Sequence, residues 1–262
     1  MRRKKIIESS LITEATVKKL LPLISIKENN LTFGVIGYRS IGKAITDKLL
    51  SMDHKVIVYD NDPNQLRSVN KMKNLATTNE LSALVKSSDY IFGCTGRDVA
   101  TSIDSFRLFP KNKTLISCSS EDKEFLSLLQ LVQQKNNAKV AAKPLADVEY
   151  KTDIGATIRI LRGGFPINFD DSGESVPEND IQLTRALVLG SVLQAIQFFK
   201  KPEILEKGGV WALDPQIQSL IIREWLKYQP EQHFQKDIID KFQNEEWILE
   251  HSGGTYESCE VF

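Results

Sequence analysis

"FGVIGYRSIGKAI", residues Phe33–Ile45, decides how this chain is read. An apolar, strand-like run ends at Gly37, and a helix-like run begins near Ile41. Between them lies Gly37-x-Arg39-x-x-Gly42, a phosphate-turn pattern with arginine at its middle position. In the full pattern the first glycine makes the tight turn. The second lets a pyrophosphate approach the backbone, and the third lets helix and strand pack closely. The first and third are present, in the strand–turn–helix setting the pattern requires.

Working outward, "LTFGVIG" (31–37) reads as a buried strand and 41–51 as a helix. "KVIVYD" (55–60) is a second strand. Asp62 and Pro63 then open another helix, as cap and first-turn proline. "NLATTN" (74–79), "DYIFGCT" (89–95) and "KTLISCS" (113–119) continue the series, with helices expected over 79–87 and 123–133. Upstream, 8–26 has the apolar spacing of a helix ending near Pro22. Strands alternating with helices at this spacing predict an α/β fold of Rossmann type, a doubly wound parallel sheet. Ligands in such sheets bind at the carboxyl ends of the strands, here Gly37, Asp60, Thr95 and Ser119.

After Lys139 the texture changes. "KVAAKP", "ATIRIL" and "FPINF" look like short strands, and Ser175 with Glu178 forms a capping box before a long apolar helix to about Lys200. Helices over about 214–228 and 234–246 and a polar tail follow. The expected organisation is an N-terminal helical segment (1–30), a Rossmann-type domain (31–200) and a C-terminal helical extension (201–262).

Composition narrows the function classes. The chain has 262 residues, and its 34 Lys+Arg balance 34 Asp+Glu, so no bulk charge draws it to nucleic acid. No segment before residue 30 has a signal peptide's apolar core, and Ala186–Phe199 is too short and Gln-interrupted to span a bilayer. Cys94, Cys118 and Cys259 lack metal-ligand spacing and read as free thiols of a reducing cytoplasm. Helix 181–199 is apolar around more than one stripe, which makes it a candidate subunit interface.

The turn and its neighbours point to an adenine dinucleotide. Asp60 lies eighteen residues after Gly42, at the end of the second strand. A carboxylate there can accept hydrogen bonds from the adenosine ribose of NAD and would repel the extra phosphate of NADP. Gly37 and Gly42 could equally serve only the turn, and Asp60 could be an ordinary strand-end acid. Arg39 could fill the pyrophosphate space, pair with the phosphates, or be simple surface charge. "CTGRD" (94–98) supplies small residues that leave room for ribose or nicotinamide, or simply a tight turn at Gly96. Arg159, Arg162 and Lys143 could line a cleft or serve as surface charge. No catalytic base and no metal site emerges. Each histidine (His54, His233, His251) reads as a surface residue.

Several segments in shared order resemble the NAD-binding domain of the S-adenosylhomocysteine hydrolase family: "ESSLIT", "VIGYRSIGKA", "KVIVYDNDP", "CTGRD", "KVAAKPLAD" and "ILRGGFPIN", over roughly 8–200. The resemblance implies that Gly37, Tyr38 and Gly42 form the phosphate turn and that Asp60 binds the ribose; Arg39, Ser40 and Ile41, between them, are further cofactor-binding candidates. It also implies that Thr95 and Gly96 line the cofactor's middle and that Asn168 approaches the nicotinamide carboxamide. The departures are Arg39 for the middle glycine, Ser120 for a histidine, and only thirty residues before Leu31, where that family carries its substrate domain. A serine cannot replace an imidazole's proton transfer near neutral pH. The expectation is therefore an NAD-binding or related adenine-nucleotide-binding protein without hydrolase activity, a sensor or interaction protein. The alternative is an NAD-dependent oxidoreductase whose substrate site is completed by the C-terminal helices or a second subunit.

Overall fold

The computed structural model describes residues 2–24, 31–67, 69, 72–101, 106, 111–119, 123–136, 145–169, 176, 178–200 and 211–228. The chain forms two compact units, Lys5–Ser175 and Val176–Phe262 with Met1–Lys4.

The larger unit is the expected α/β layer structure. Helix α1 (Arg2–Leu20) ends in a short 3-10 turn at Leu21–Leu23, where Pro22 cannot continue the helix. Then come β1 (Thr32–Ile36), α2 (Ser40–Ser51), β2 (Lys55–Tyr59), α3 (Pro63–Arg67), β3 (Leu75–Thr78), α4 (Leu81–Ser87) and β4 (Tyr90–Gly93). Next are β5 (Lys113–Ser117), α5 (Leu126–Asn136), β6 (Val148–Lys151) and β7 (Thr157–Ile160). The start of α3 is as the sequence predicts: Asp62 Oδ1 accepts from Asn64 N at 2.9 Å, and Pro63 follows.

The seven strands lie in the order β3-β2-β1-β4-β5-β7-β6. All neighbouring pairs are parallel except β6–β7. Alternate strand side chains point to opposite faces, so the sheet buries two apolar layers. Phe33, Val35, Val58 and Phe92 meet Leu20, Ile45 and Leu49 in one layer. Ile36, Ile91, Leu115 and Ile158 meet Leu84, Phe125 and Leu128 in the other. The chain reverses its winding between β1 and β4, and the crevice outside the carboxyl ends at such a point is where these folds bind ligands.

One expected strand resolves differently. "ATIRIL" is β7, but "FPINF" is a turn: the preceding Arg162 and Gly163 have left-handed backbones, and Phe169 N bonds back to Pro166 O at 3.0 Å. The strand paired with β7 is instead β6, "VEYK". "KVAAKP", the capping Ser175 and the helix over 234–246 lie outside the described residues.

The second unit holds α6 (Glu178–Phe199) and α7 (Pro215–Leu226). Asp214 caps α7, its Oδ1 accepting from Gln216 N and Ile217 N. Trp225 Nε1 donates to Asn179 O, while Gln194 bonds to Ala212 O and Asp214 N. The end of α7 therefore meets the start of α6, and the two helices run antiparallel.

Candidate functional site

The carboxyl ends of β1, β2, β4 and β5 converge on the phosphate-turn motif. Gly37 leaves β1 at φ +92°, a left-handed conformation that favours glycine, and donates its N–H to Tyr59 O at 2.8 Å. A Cβ on Gly37 would lie 2.9 Å from Thr95 Cγ2, which places the β1 and β4 loops in contact. A Cβ on Gly42 would lie 1.7 Å from Gly37 O, so α2 can start this close to the strand end only with glycine there. This is the packing role of the motif's third glycine.

Arg39 occupies the middle position with an ordinary extended backbone (φ −86°, ψ −161°) and an exposed side chain. Nothing in the conformation demands glycine there. Its side chain makes no capping hydrogen bond to α2. The first N–H groups of a helix have no intrahelical acceptor, so those of Ser40 and Ile41 form an anion-accepting end. Ser40 is exposed there, while Ile41 packs against the core.

Asp60 does more than end a strand. Its Oδ2 accepts from Tyr38 N at 2.7 Å and its Oδ1 from Asp62 N at 2.9 Å, at 8% exposure. The carboxylate clamps the phosphate turn to the end of β2. Burial, with Asp47 nearby, pushes the Tyr38 phenol up, so it stays neutral.

At the end of β4 lies a residue the sequence did not single out. Glu124 is fully buried. Its Oε1 accepts from Thr95 N at 2.5 Å and Gly96 N at 2.6 Å, and its Oε2 from Thr95 Oγ1 at 3.0 Å. Ser119 adds a further hydrogen bond. Burial pushes its carboxyl above the ordinary glutamate range, against the pull of the Gly96 and Thr95 donors. The Thr95–Gly96 loop is therefore held by a buried acid from the segment before α5. Only its place before an apolar helix marks Glu124 in "SSEDKEF".

A hydrogen bond with Cys118, together with burial, holds the Cys94 thiol well above its usual value, so it is no nucleophile. Asn168 is buried beside the end of β5, its neighbour Ile167 donating to Ser117 O at 3.0 Å. The structure thus brings Gly37, Tyr38, Gly42, Asp60, Thr95 and Gly96 together at one end of the sheet. Arg159 is placed elsewhere, paired with Asp147 at 2.5 Å, and Lys143 lies outside the described residues. His54, the one histidine among the described residues, packs tilted against the Phe33 ring beside the start of β2, at the opposite end. That end also carries a pocket of about 480 Å³ lined by Asp89, Lys111, Lys113 and Arg159. No group of three or more His, Cys, Asp or Glu among the described residues could hold a metal.

The residues at the turn fit a dinucleotide's pyrophosphate: Gly37 makes the tight turn, Gly42 brings α2 close to the strand end, and the helix N-terminus supplies donors. The Thr95 and Gly96 N–H groups, already given to Glu124, are not available to it.

Residues 32–121 match the family model described as NADP oxidoreductase, coenzyme F420-dependent. This stretch has the Rossmann-type fold of NAD(P)-binding domains. The match overturns the resemblance to S-adenosylhomocysteine hydrolase, because it assigns the same turn, strands and β4 loop to a different family. Those short motifs are shared features of dinucleotide turns and do not identify the hydrolase. No curated protein matches the chain. Among solved structures it is similar to a 2-hydroxyacid dehydrogenase from Ketogulonicigenium vulgare (15% identity, 49% of this chain and 48% of that one, TM-score 0.37). Another is an NADPH-dependent glyoxylate/hydroxypyruvate reductase from Sinorhizobium meliloti (14%, 49% and 47%, 0.37). A third is D-2-hydroxyisocaproate dehydrogenase (18%, 50% and 45%, 0.34). The chain spans about half the length of these structures.

Proposed function

We propose that the chain is a nicotinamide-dinucleotide oxidoreductase that binds its cofactor over the Gly37–Gly42 turn and favours NAD over NADP. The supporting observation is the turn itself. Gly42 abuts Gly37 O, the N-terminus of α2 opens outward, and the Asp60 carboxylate fixes Tyr38 behind it. The cofactor, when bound, supplies the hydride chemistry. The chain's part is to hold the pyrophosphate at the Ser40 and Ile41 N–H groups, with Arg39 beside it as a charge partner. A carboxylate side chain at Asp60, at the end of β2 where the adenosine ribose would lie, disfavours a second phosphate there.

Calorimetric titration with NAD and NADP tests the reading. NAD binding that weakens in Asp60→Ala supports it. Tighter NADP binding reverses the cofactor preference, and no binding of either removes the proposal. Absorbance at the reduced-nicotinamide band, with a panel of 2-hydroxy acids and other small alcohols, then tests turnover.

A further inference from the structure

The loop after β4, residues 94–100, directs its backbone donors into the protein. Thr95 N and Gly96 N go to Glu124 Oε1 at 2.5 and 2.6 Å. Arg97 N goes to Thr95 Oγ1 at 3.0 Å, Val99 N to Glu124 O at 2.9 Å and Ala100 N to Asp98 Oδ1 at 3.0 Å. The Thr95 hydroxyl is committed as well, to Glu124 Oε2 and Arg97 O. The loop is tied down in return, because Asp98 Oδ2 accepts from Ser127 N at 2.9 Å and from the Ser127 hydroxyl. A Cβ on Gly93 would lie 2.8 Å from Glu124 Oε2, so the carboxylate rests against bare backbone beneath the loop.

The carbonyls follow from this arrangement. In a trans peptide the C=O and the N–H point in opposite directions, and no peptide bond among the described residues is cis. With the Thr95 and Gly96 N–H groups turned inward onto buried Glu124, the Cys94 and Thr95 carbonyls turn outward. Cys94 O borders the phosphate turn: a Cβ on Gly37 would lie 3.1 Å from it. Thr95 itself is exposed. Among the described residues no donor reaches either oxygen. A backbone carbonyl without a protein partner is left for solvent or a ligand.

We propose that the β4 side of the crevice is an acceptor site, set by Glu124, that takes the hydroxyls of a sugar and turns away an anion. This rests on the proposed nucleotide site. The pyrophosphate lies at the N-terminus of α2, where N–H groups point outward. The part of the ligand beyond it meets Cys94 O and Thr95 O. The two sides of the crevice therefore have opposite polarity. A sugar there donates its hydroxyls to the carbonyls, whereas a further phosphate sets its oxygens against theirs with no donor between. Glu124 touches no ligand. It is a positioning residue, acting through the orientation of two peptide planes.

Calorimetric titration with ADP, ADP-ribose and ATP, without divalent metal, tests the proposal. It is run in Arg97→Ala, which removes the loop's one cation, an exposed side chain. ADP reports the phosphate turn alone. ADP-ribose adds hydroxyls beyond the pyrophosphate, and ATP adds an anion there. ADP-ribose should bind about tenfold more tightly than ATP, the size of one hydrogen bond to a charged group. Adding Glu124→Ala frees the two N–H groups to turn outward, and the gap should close. Adding Glu124→Gln keeps an oxygen on both N–H groups and should keep the gap. A purely structural role for Glu124 would weaken the two ligands alike. Hydrogen exchange needs neither ligand nor substitution: the Thr95 and Gly96 amides should be slow in the free wild-type chain. Three results would overturn the proposal: ATP binding as tightly as ADP-ribose in Arg97→Ala, a gap that persists in a folded Glu124→Ala protein, or fast exchange at those two amides. Failure of ADP to bind would instead remove the phosphate turn, and the acceptor site with it.

Discussion

Replacing Gly42 with alanine tests the turn most directly, because two effects of known size oppose each other. Gly42 is the third residue of α2, and in an exposed helix Gly→Ala would stabilise by about 1 kcal/mol. Here the new methyl would lie 1.7 Å from Gly37 O, where an ordinary carbon–oxygen contact is about twice that. The obstructing atom is backbone, fixed by Gly37 N→Tyr59 O on one side and Tyr38 N→Asp60 Oδ2 on the other. Relief requires α2 to withdraw by more than an ångström or the clamp to break. Overpacking of a rigid site costs about 1–3 kcal/mol, and this case belongs at or beyond the upper end. Subtracting the propensity gain leaves a net loss of about 2 kcal/mol or more, a fall in Tm of about 4–8 °C for a domain of this size. Urea unfolding and a thermal melt would read it, and NAD titration would show whether the phosphate site goes with it. Gly96→Ala is the control: that glycine, unlike Gly42, has positive φ (+70°), and its Cβ would meet nothing within 4 Å. It should lose only the left-handed penalty, about 1–2 kcal/mol. A Gly42→Ala protein as stable as wild type, or more stable, would refute the close approach and the phosphate turn built on it.

Three further outcomes are expected. Arg39→Gly should weaken NAD binding about tenfold, the size of one charge-assisted hydrogen bond, with unfolding unaffected; calorimetry and urea curves separate the two. Lys113 is buried, donates to Ser88 O at 2.8 Å and has its pKa pulled down to about 8 by burial. The unfolded chain, with lysine near its usual value of about 10.4, binds the extra proton between those limits. Stability should therefore rise with pH from about 8 to 10, and urea midpoints of Lys113→Met should lack that rise. Glu124 has its pKa raised, so the folded state holds a proton that the unfolded state releases first. Its contribution is full below the ordinary glutamate range and declines as pH climbs through the raised folded value. Glu124→Gln should flatten this slope, and Glu124→Ala should destabilise at all pH values by freeing the Thr95 and Gly96 donors.

The alternating architecture was legible because strands buried on both faces, such as "FGVI" and "YIFG", write themselves as short apolar runs. Strand β6 was not. At the sheet edge its residues alternate with exposed Glu149 and Lys151, and only Tyr150 is buried. "FPINF" has a strand's apolar content, but left-handed backbone at Arg162 and Gly163 turns the chain before it. At the site, the positions of Gly37, Gly42 and Asp60 followed from local spacing. The role of Asp60 as a clamp did not, since its partner Tyr38 is twenty-two residues away and the bond is to backbone. Glu124 was hidden for the same reason, acting on the β4 loop from twenty-nine residues downstream. The family assignment misled because short dinucleotide-turn motifs recur across unrelated activities.

The Asp60 clamp also bears on the timing of ligand exchange. A phosphate turn that relies on its ligand for order must freeze each time one arrives and loosen each time one leaves. Here an internal carboxylate has already fixed the turn, so no ordering entropy is drawn from the binding free energy at that point. Capture and release of a nucleotide at this turn would then need no loop to fold or melt. In hydrogen exchange, the Tyr38 amide should stay protected with or without nucleotide, and the Ser40 and Ile41 amides should slow only when it is bound.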